Sequence, residues 1–302
     1  MTNFDGKSGN QVFVGNDVRP NHLLVHVGEN ELANAADAQG VANGFRGSAN
    51  GCMGIASGDF DRDGTIDLHI TNFTQESANL YLQAVSGGFT DYATRYQLDQ
   101  YSMPMVGFGT KAFDIDRDGW LDLAVTNGHI FDMTEAGDGY RMPPQFMMNR
   151  GTRFELADVQ DDSGYWAKTY LGRSMAKTDF DNDGDTDLLI NHLDQPTALL
   201  RNETETDGDW LRIDLVGTAS ERDAIGAKVV IKTGSQSQSA WVTAGDGYLC
   251  NDQATLEFGL GKDAVLETLE IHWPSGAKQT FAKPSVNRSY LAIEGDSVLS
   301  VR

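Results

Sequence analysis

Apolar residues fall at every second position in three short stretches, "TIDLHIT" (65–71), "WLDLAVT" (120–126) and "DTDLLIN" (185–191). A period of two is the pattern of a β-strand with one face turned to a core. Ile66, Leu68 and Ile70 share one such face, and Leu121, Leu123 and Val125 share another. Further strands are expected in "PNHLLVHVG" (20–28), "ANLYLQAVSGGF" (78–89), "PPQFMMNRGTRF" (143–154) and "PTALLRN" (196–202). The pattern therefore predicts repeated β units, each of about four strands.

Around 202–209 the composition turns polar and acidic, "NETETDGD", which reads as a linker. Beyond it come seven short apolar runs punctuated by glycine or proline: "WLRIDLVG", "AKVVIKTG", "SAWVTAG", "ATLEFGLG", "LETLEIHWP", "KQTFAKP" and "RSYLAIEG". Strands of this length and spacing suggest a compact β-sandwich. The chain thus divides into repeats over 1–203 and a second domain over 204–302, both all-β. Thirty-three glycines against seven prolines suit a fold of many tight turns.

Each alternating stretch is entered through a dense run of acids. "DFDRDGTID" (59–67) places Asp59, Asp61 and Asp63 at positions 1, 3 and 5, Thr65 at 7 and Asp67 at 9. Asp114, Asp116, Asp118, Trp120 and Asp122 repeat the arrangement, as do Asp179, Asp181, Asp183, Asp185 and Asp187. Carboxylates this close repel one another unless a cation sits among them. Hard Ca²⁺ takes six to eight oxygens, which alternate side chains of one tight turn can supply. Position 7 varies as Thr, Trp and Asp, which fits a ligand that offers only its backbone carbonyl. Gly64, Gly119 and Gly184 stand sixth, where the turn is sharpest. An EF-hand is excluded, because position 12 is Ile70, Val125 or Ile190 rather than glutamate and a strand follows rather than a helix. Mg²⁺ resists a protein cage of this many ligands. About three Ca²⁺ ions are expected, and they would bring the net charge of −21 to about −15.

The loops start 55 and 65 residues apart, a period that suggests propeller blades. A degenerate fourth loop opens the chain at "NFDGKSGNQ" (3–11), where Lys7 replaces the third acid and Gln11 the last, so no Ca²⁺ is expected there. Four units close only a small propeller. The alternative is an incomplete propeller, completed by further blades from a longer chain.

These loops resemble FG-GAP repeats, the integrin α-chain propeller type also called VCBS repeats. "GFGTKAFDIDRDGWLDLAVTNGH" (107–129) is close to the form found beside ASPIC/UnbV domains. The C-terminal segment resembles that domain in turn, through "RDAIGAKV" (222–229), "GDGYL" (245–249), "FGLG" (258–261), "WPSG" (273–276) and "NR" (287–288). The resemblance implies a calcium-stapled β-propeller and an extracellular, periplasmic or cell-surface setting. It also implies a recognition or adhesion role toward a protein or glycan. The glycines of the C-terminal motifs are expected to serve turns and bulges.

The strong negative charge argues against nucleic acid as a partner. No apolar run is long enough to insert in a membrane, and the start "MTNFDGKSGNQ" shows no signal peptide. Cys52 and Cys250 lie in different halves of the chain and are expected to be free, buried thiols. No nucleophile elbow, zinc-spaced set or phosphate loop is present, so a catalytic reading finds no residues to rest on. The long insert 127–145 carries His129, Tyr140 and Arg141, which are candidates for ligand binding. The competing function is an enzyme or accessory protein of enediyne-type small-molecule biosynthesis or polysaccharide processing, which the UnbV resemblance brings in.

Overall fold

The computed structural model describes all of residues 1–302 except Ser8, Glu29, Phe45, Met133, Gly137, Asp138, Asp162 and Ser235. Ser8 of the degenerate loop, and Met133, Gly137 and Asp138 of the 127–145 insert, therefore lie outside the described residues.

The first two hundred residues form four antiparallel meanders in sequence order. The first sheet holds β1 (Val12–Val14), β2 (His22–Gly28) and β3 (Glu31–Asn34). The second holds β4 (Ile55–Gly58), β5 (Asp67–Ile70), β6 (Asn79–Gln83) and β7 (Phe89–Asp91). The third holds β8 (Gly107–Phe113), β9 (Asp122–Asn127), β10 (Gln145–Asn149) and β11 (Phe154–Leu156). The fourth holds β12 (Gly172–Thr178), β13 (Asp187–His192) and β14 (Ala198–Leu200). Four strands per unit thus holds for the second and third sheets, and three for the outer two. No closed barrel or propeller forms among the described residues; the sheets stand as a succession of blades, with β4 beside β8 and β8 beside β12.

The blades stack face to face, and this changes the reading of the alternating stretches. All four residues of β5, and every residue of β8 and β9, are buried. The apolar face packs on one neighbouring sheet, and the polar face of the same strand is enclosed as well. Leu68, Ile70 and Tyr81 pack with Phe13 and Leu23 of the first sheet. Leu80 and Leu82 meet Ala112, Leu123 and Val125 across the next seam, and Ala124 and Phe146 meet Met175, Leu188 and Ile190 across the last.

One joint recurs at two seams. Thr71 Oγ1 accepts from the Gly54 amide at 2.8 Å and donates to the Phe108 carbonyl of the next blade at 2.7 Å. Thr126 does the same with the Gly109 amide at 2.9 Å and the Arg173 carbonyl at 2.6 Å. Gly54 and Gly109 must lack a side chain here, because a Cβ would run into that same carbonyl.

The last hundred residues form two further sheets. β15 (Asp209–Val216) is central in one, between β18 (Leu256–Gly261) and a parallel β21 (Arg288–Ile293), with β22 (Ser300–Val301) at the edge. The other runs β17 (Gln236–Trp241), β16 (Lys228–Thr233), β19 (Leu266–His272), β20 (Lys278–Ala282). Leu211, Ile213 and Phe258 from the first sheet and Val229, Ile231, Leu269 and Ile271 from the second share one core, which makes the pair a sandwich. All seven expected strands are present; β22 was not expected, and nor was the parallel pairing.

The segment 246–252 leaves this sandwich and enters the blades. Gly247 bridges to Ile55 of β4, and Tyr248 packs edge-on against Phe108 of β8 at 5.0 Å between ring centres. Cys250 Sγ meets the Met175 carbonyl of β12 at 2.9 Å. The Lys111 ammonium, fully buried in β8, pairs with Asp246 at 2.7 Å and Asp252 at 2.8 Å. Residues 246–252, which begin within the "GDGYL" motif, therefore plug against β4, β8 and β12, while Gly245 and Gly247 take the left-handed turn conformation, with φ of 77° and 72°. Cys52 and Cys250 are free as expected, though half-buried rather than buried.

Candidate metal centres

Each acidic loop leads into the strand that opens with its own ninth residue, so Asp67, Asp122 and Asp187 are anchored in β5, β9 and β13. The geometry repeats bond for bond. The ninth carboxylate accepts from the amide of position 2: Phe60 to Asp67 at 2.8 Å, Ile115 to Asp122 at 3.3 Å, Phe180 to Asp187 at 2.8 Å. Its other oxygen accepts from the end of the following strand hairpin, from Gln83, Asn149 and Asn202, each at 2.8 Å. The first carboxylate accepts from the amide of the glycine at position 6, with Gly64 to Asp59 at 3.0 Å, Gly119 to Asp114 at 2.7 Å and Gly184 to Asp179 at 3.3 Å.

Two residues per loop adopt left-handed backbone. The glycines at position 6 have φ of 86°, 85° and 94°. Position 4 is left-handed too, at Arg62 (61°), Arg117 (58°) and Asn182 (61°). Arginine there is strained, and the loop as a whole must hold it. Sequence reasoning passed over position 4; the signals for it are Asn182 in the third loop and Gly6, with φ of 68°, at the same place in the degenerate loop.

The structure brings together positions 1, 3 and 9. One carboxylate oxygen each from Asp59, Asp61 and Asp67 lies within 4.8 Å of the others, and so it is for Asp114, Asp116 and Asp122 and for Asp179, Asp181 and Asp187. Position 5 turns instead to the amide of position 7: Asp63 to Thr65 and Asp118 to Trp120, both at 2.8 Å, and Asp183 to Asp185 at 2.9 Å. Position 7 side chains face away from the cluster. The Thr65 hydroxyl donates to the Gln83 carbonyl, Trp120 lies under Arg62, and Asp185 pairs with Arg117.

The donor set fits a hard divalent cation. Asp59 is 5% exposed and its Oδ1 has no hydrogen-bond partner. Burial, and then the charges of Asp63 and Asp61, push its pKa up to about 7. Burial pushes Asp67 up to about 9 and Asp122 to about 8, against the hydrogen bonds from Gln83 and Asn149. Burial and Asp118 take Asp114 to about 7. Carboxylates so placed demand a counter-charge from within the loop. In the third loop Arg212, 4% exposed, supplies part of it by pairing with Asp179 and, at 3.0 Å, with Glu257.

The degenerate loop closes without that demand. Gln11 Oε1 accepts from the position-2 amide of Phe4 at 2.6 Å, as Asp67 does from Phe60. Its Nε2 donates to Asp5, the third position, at 3.1 Å, and Lys7 stands 3.8 Å from the same carboxylate. Side-chain donors hold together what two carboxylates in the other loops cannot hold alone.

All four loops face the C-terminal sandwich. Asn10 Nδ2 donates to the Ile225 carbonyl at 2.9 Å, and Lys228 Nζ to the Gly64 carbonyl at 2.6 Å. The Gly261 amide donates to the Arg117 carbonyl at 2.8 Å, and a Cβ on Gly259 would collide with Asp114. Trp210 packs on Gly184. Gly259, expected in a turn or bulge, flanks the register shift between β15 and β18 and also permits this close approach.

The other candidates are separate from the loops. His129 is buried at 4% exposure; its Nδ1 accepts from the Phe131 amide at 3.0 Å and its backbone amide donates to the Tyr140 carbonyl. Tyr140 is half-buried, and Arg141 pairs with Asp194. His129 thus ties the insert to its blade.

Residues 59–125 match the FG-GAP-like repeat family, and residues 217–299 match the family described as ASPIC and UnbV. The chain therefore carries an FG-GAP-like repeat and, at its C-terminal end, an ASPIC/UnbV segment, as the acidic loops and the C-terminal motifs led one to expect. Among curated proteins it is similar to cartilage acidic protein 1 of Xenopus tropicalis, 31% identical over 280 residues. That match spans 89% of this chain and 40% of the relative. The human protein of the same name is 30% identical over 305 residues, spanning 97% of this chain and 42% of its own length. The chain thus spans about two fifths of the curated relatives it matches. Among solved structures, an Agrocybe aegerita lectin described as recognising non-reducing terminal N-acetylglucosamine aligns over 66% of this chain and 50% of its own, with TM-score 0.32 and 16% identity. The V. cholerae biofilm matrix protein Bap1 aligns over 94% and 57%, with TM-score 0.30 and 11% identity.

Proposed function

We propose that this chain is a calcium-loaded recognition module of an extracellular protein, in which Ca²⁺ staples the blades and the assembled surface binds a protein or glycan. The observation that carries the calcium reading is Asp59 Oδ1, a buried and unpartnered carboxylate oxygen within a cluster of three aspartates. Asp59, Asp61 and Asp67 would hold one ion, Asp114, Asp116 and Asp122 a second, and Asp179, Asp181 and Asp187 a third. Bound there, Ca²⁺ would supply charge neutralisation and cross-linking within each loop. Because the loops dock on the sandwich through Asn10, Gly64, Arg117 and Gly184, the ions would act structurally, and recognition would fall to other surfaces. The FG-GAP match and the name of the curated relatives support an extracellular setting. No helix among the described residues is long and apolar enough to cross a membrane.

The test is equilibrium dialysis with ⁴⁵Ca²⁺, followed by a screen over glycans and matrix proteins in Ca²⁺ and in chelator. About three ions per chain, and a binder lost in chelator, are the expected results. A folded chain that takes up no Ca²⁺ ends the calcium reading. A calcium-loaded chain that binds nothing on the array ends the recognition reading.

A further inference from the structure

Behind the Thr71 joint, between the second and third blades, lies a cavity of about 10 Å³ lined by His69, Asn72, Gln145 and Asn127 together with apolar Leu98 and Met147. Three buried polar atoms of these lining residues have no hydrogen-bond partner: His69 Nε2, Asn72 Oδ1 and Asn127 Oδ1. Their residues are 1%, 4% and 1% exposed. An unsatisfied buried group costs about 1–3 kcal/mol, so three around one small space call for a common partner.

The rest of each side chain is committed. Asn72 Nδ2 donates to the Ser77 carbonyl at 2.6 Å and to Asn79 Oδ1 at 2.8 Å. Asn127 Nδ2 donates to the Pro143 carbonyl at 2.9 Å and to Gln145 Oε1 at 3.1 Å. Those acceptors fix both amides with their oxygens free. His69 Nδ1 meets Thr110 Oγ1 at 3.0 Å. In a neutral imidazole one ring nitrogen carries the proton and the other accepts.

We propose that this cavity is a binding site for a single structural water, which accepts from His69 Nε2–H and donates its two protons to Asn72 Oδ1 and Asn127 Oδ1. The volume is about that of one water-sized probe, and three polar partners is the usual number for a buried water. Two acceptors and one donor match the two protons and a lone pair of water. A metal cation would be turned away by the N–H. The assignment requires Thr110 to donate to Nδ1. It also makes the site particular to this seam, because the residues equivalent to His69 in the third and fourth blades are Ala124 and Leu189. The water bolts β5 to β9 where the direct Thr71 bond bolts β5 to β8.

The experiment is a long-range ¹H–¹⁵N correlation on the histidines of the intact labelled chain, with a search for exchange or Overhauser peaks between His69 Hε2 and water. The expected result is the Nε2–H tautomer with such a peak. In parallel, water-¹⁷O relaxation dispersion should lose one long-lived water per chain in His69→Phe. An Nδ1–H tautomer overturns the proposal, since three acceptors would then face a molecule with two protons. So does an Nε2–H proton with no water contact. The tautomer is read on the unmodified chain, so the test survives if His69→Phe does not fold.

Discussion

Arg62 lies over the indole of Trp120, its guanidinium carbon 4.0 Å from the ring centre, while it donates to the carbonyls of Asp118 at 2.8 Å and Gly119 at 2.9 Å. A residue of the first acidic loop thus grips the second, and the grip repeats: Arg117 of the second loop pairs with Asp185 of the third. The left-handed backbone at position 4 is what aims these side chains across. Arg62→Ala should cost about 1–2 kcal/mol through the lost stacking and charged hydrogen bonds, read as a lower midpoint in urea. A midpoint unchanged within error would show that the loops are not linked.

Asp61→Ala and Asp116→Ala should each remove one Ca²⁺ from the dialysis count and lower the calcium-loaded melting temperature. Asp63→Ala, whose carboxylate caps Thr65 and lies outside the cluster of three, should cost less of either. Equal losses at Asp61 and Asp63 would place the fifth position among the ligands.

Lys111→Met should destabilise the chain by about 3–5 kcal/mol, because it strands the partly buried Asp246 and Asp252 without their shared cation. Denaturant unfolding measures it. A loss below about 1 kcal/mol would mean that the ion pairs contribute no more than exposed ones do.

Glu294 accepts from the amides of Thr218 and Ala219 at 2.9 Å, the Ser220 amide at 2.6 Å and the Ser275 hydroxyl. Burial works to raise its pKa, and those donors outweigh it and hold it down at about 2. The depressed value makes its contribution present above about pH 4 and lost as pH falls through about 2. Glu294→Gln should therefore be less stable than the parent at pH 7 by about 1–3 kcal/mol, with the gap closing toward pH 2. A gap that stays constant with pH would assign the effect to shape rather than charge.

Chelation should loosen the C-terminal sandwich as well as the loops, since Lys228, Gly259 and Arg212 all dock on loop residues. Hydrogen exchange in β15, β16 and β18 should speed by roughly tenfold, the equivalent of about 1.4 kcal/mol. If exchange quickens only within 59–67, 114–122 and 179–187, the docking is independent of the ions.

Local pattern carried much of this fold. The loops, the strand after each of them and the seven C-terminal strands are all written in spacings of nine residues or fewer, which a sequence displays directly. The long-range partnerships are not. Nothing near Gly259 signals that Asp114 will press against it, and nothing near Asp246 signals Lys111, 135 residues away. Trp120 and Arg62 were legible as loop residues but not as a pair. The period-two pattern also concealed that the polar face of β5 is enclosed, because only the neighbouring blade makes it so. His69, on the face opposite Leu68 and Ile70, is interior for that reason, at 1% exposure.

The docked sandwich imposes an order in time. Synthesis delivers the blades first, and the residues that dock on the loops come last, from 209 onward. Under the proposed calcium reading, the first two loops, where Lys228 and Gly259 lie against Gly64 and Asp114, are more open before docking than after it, while Asp181 of the third loop stays exposed throughout. An ion in the first two loops should then exchange faster in a nascent chain than in a finished one, and an ion in the third loop should exchange alike in both.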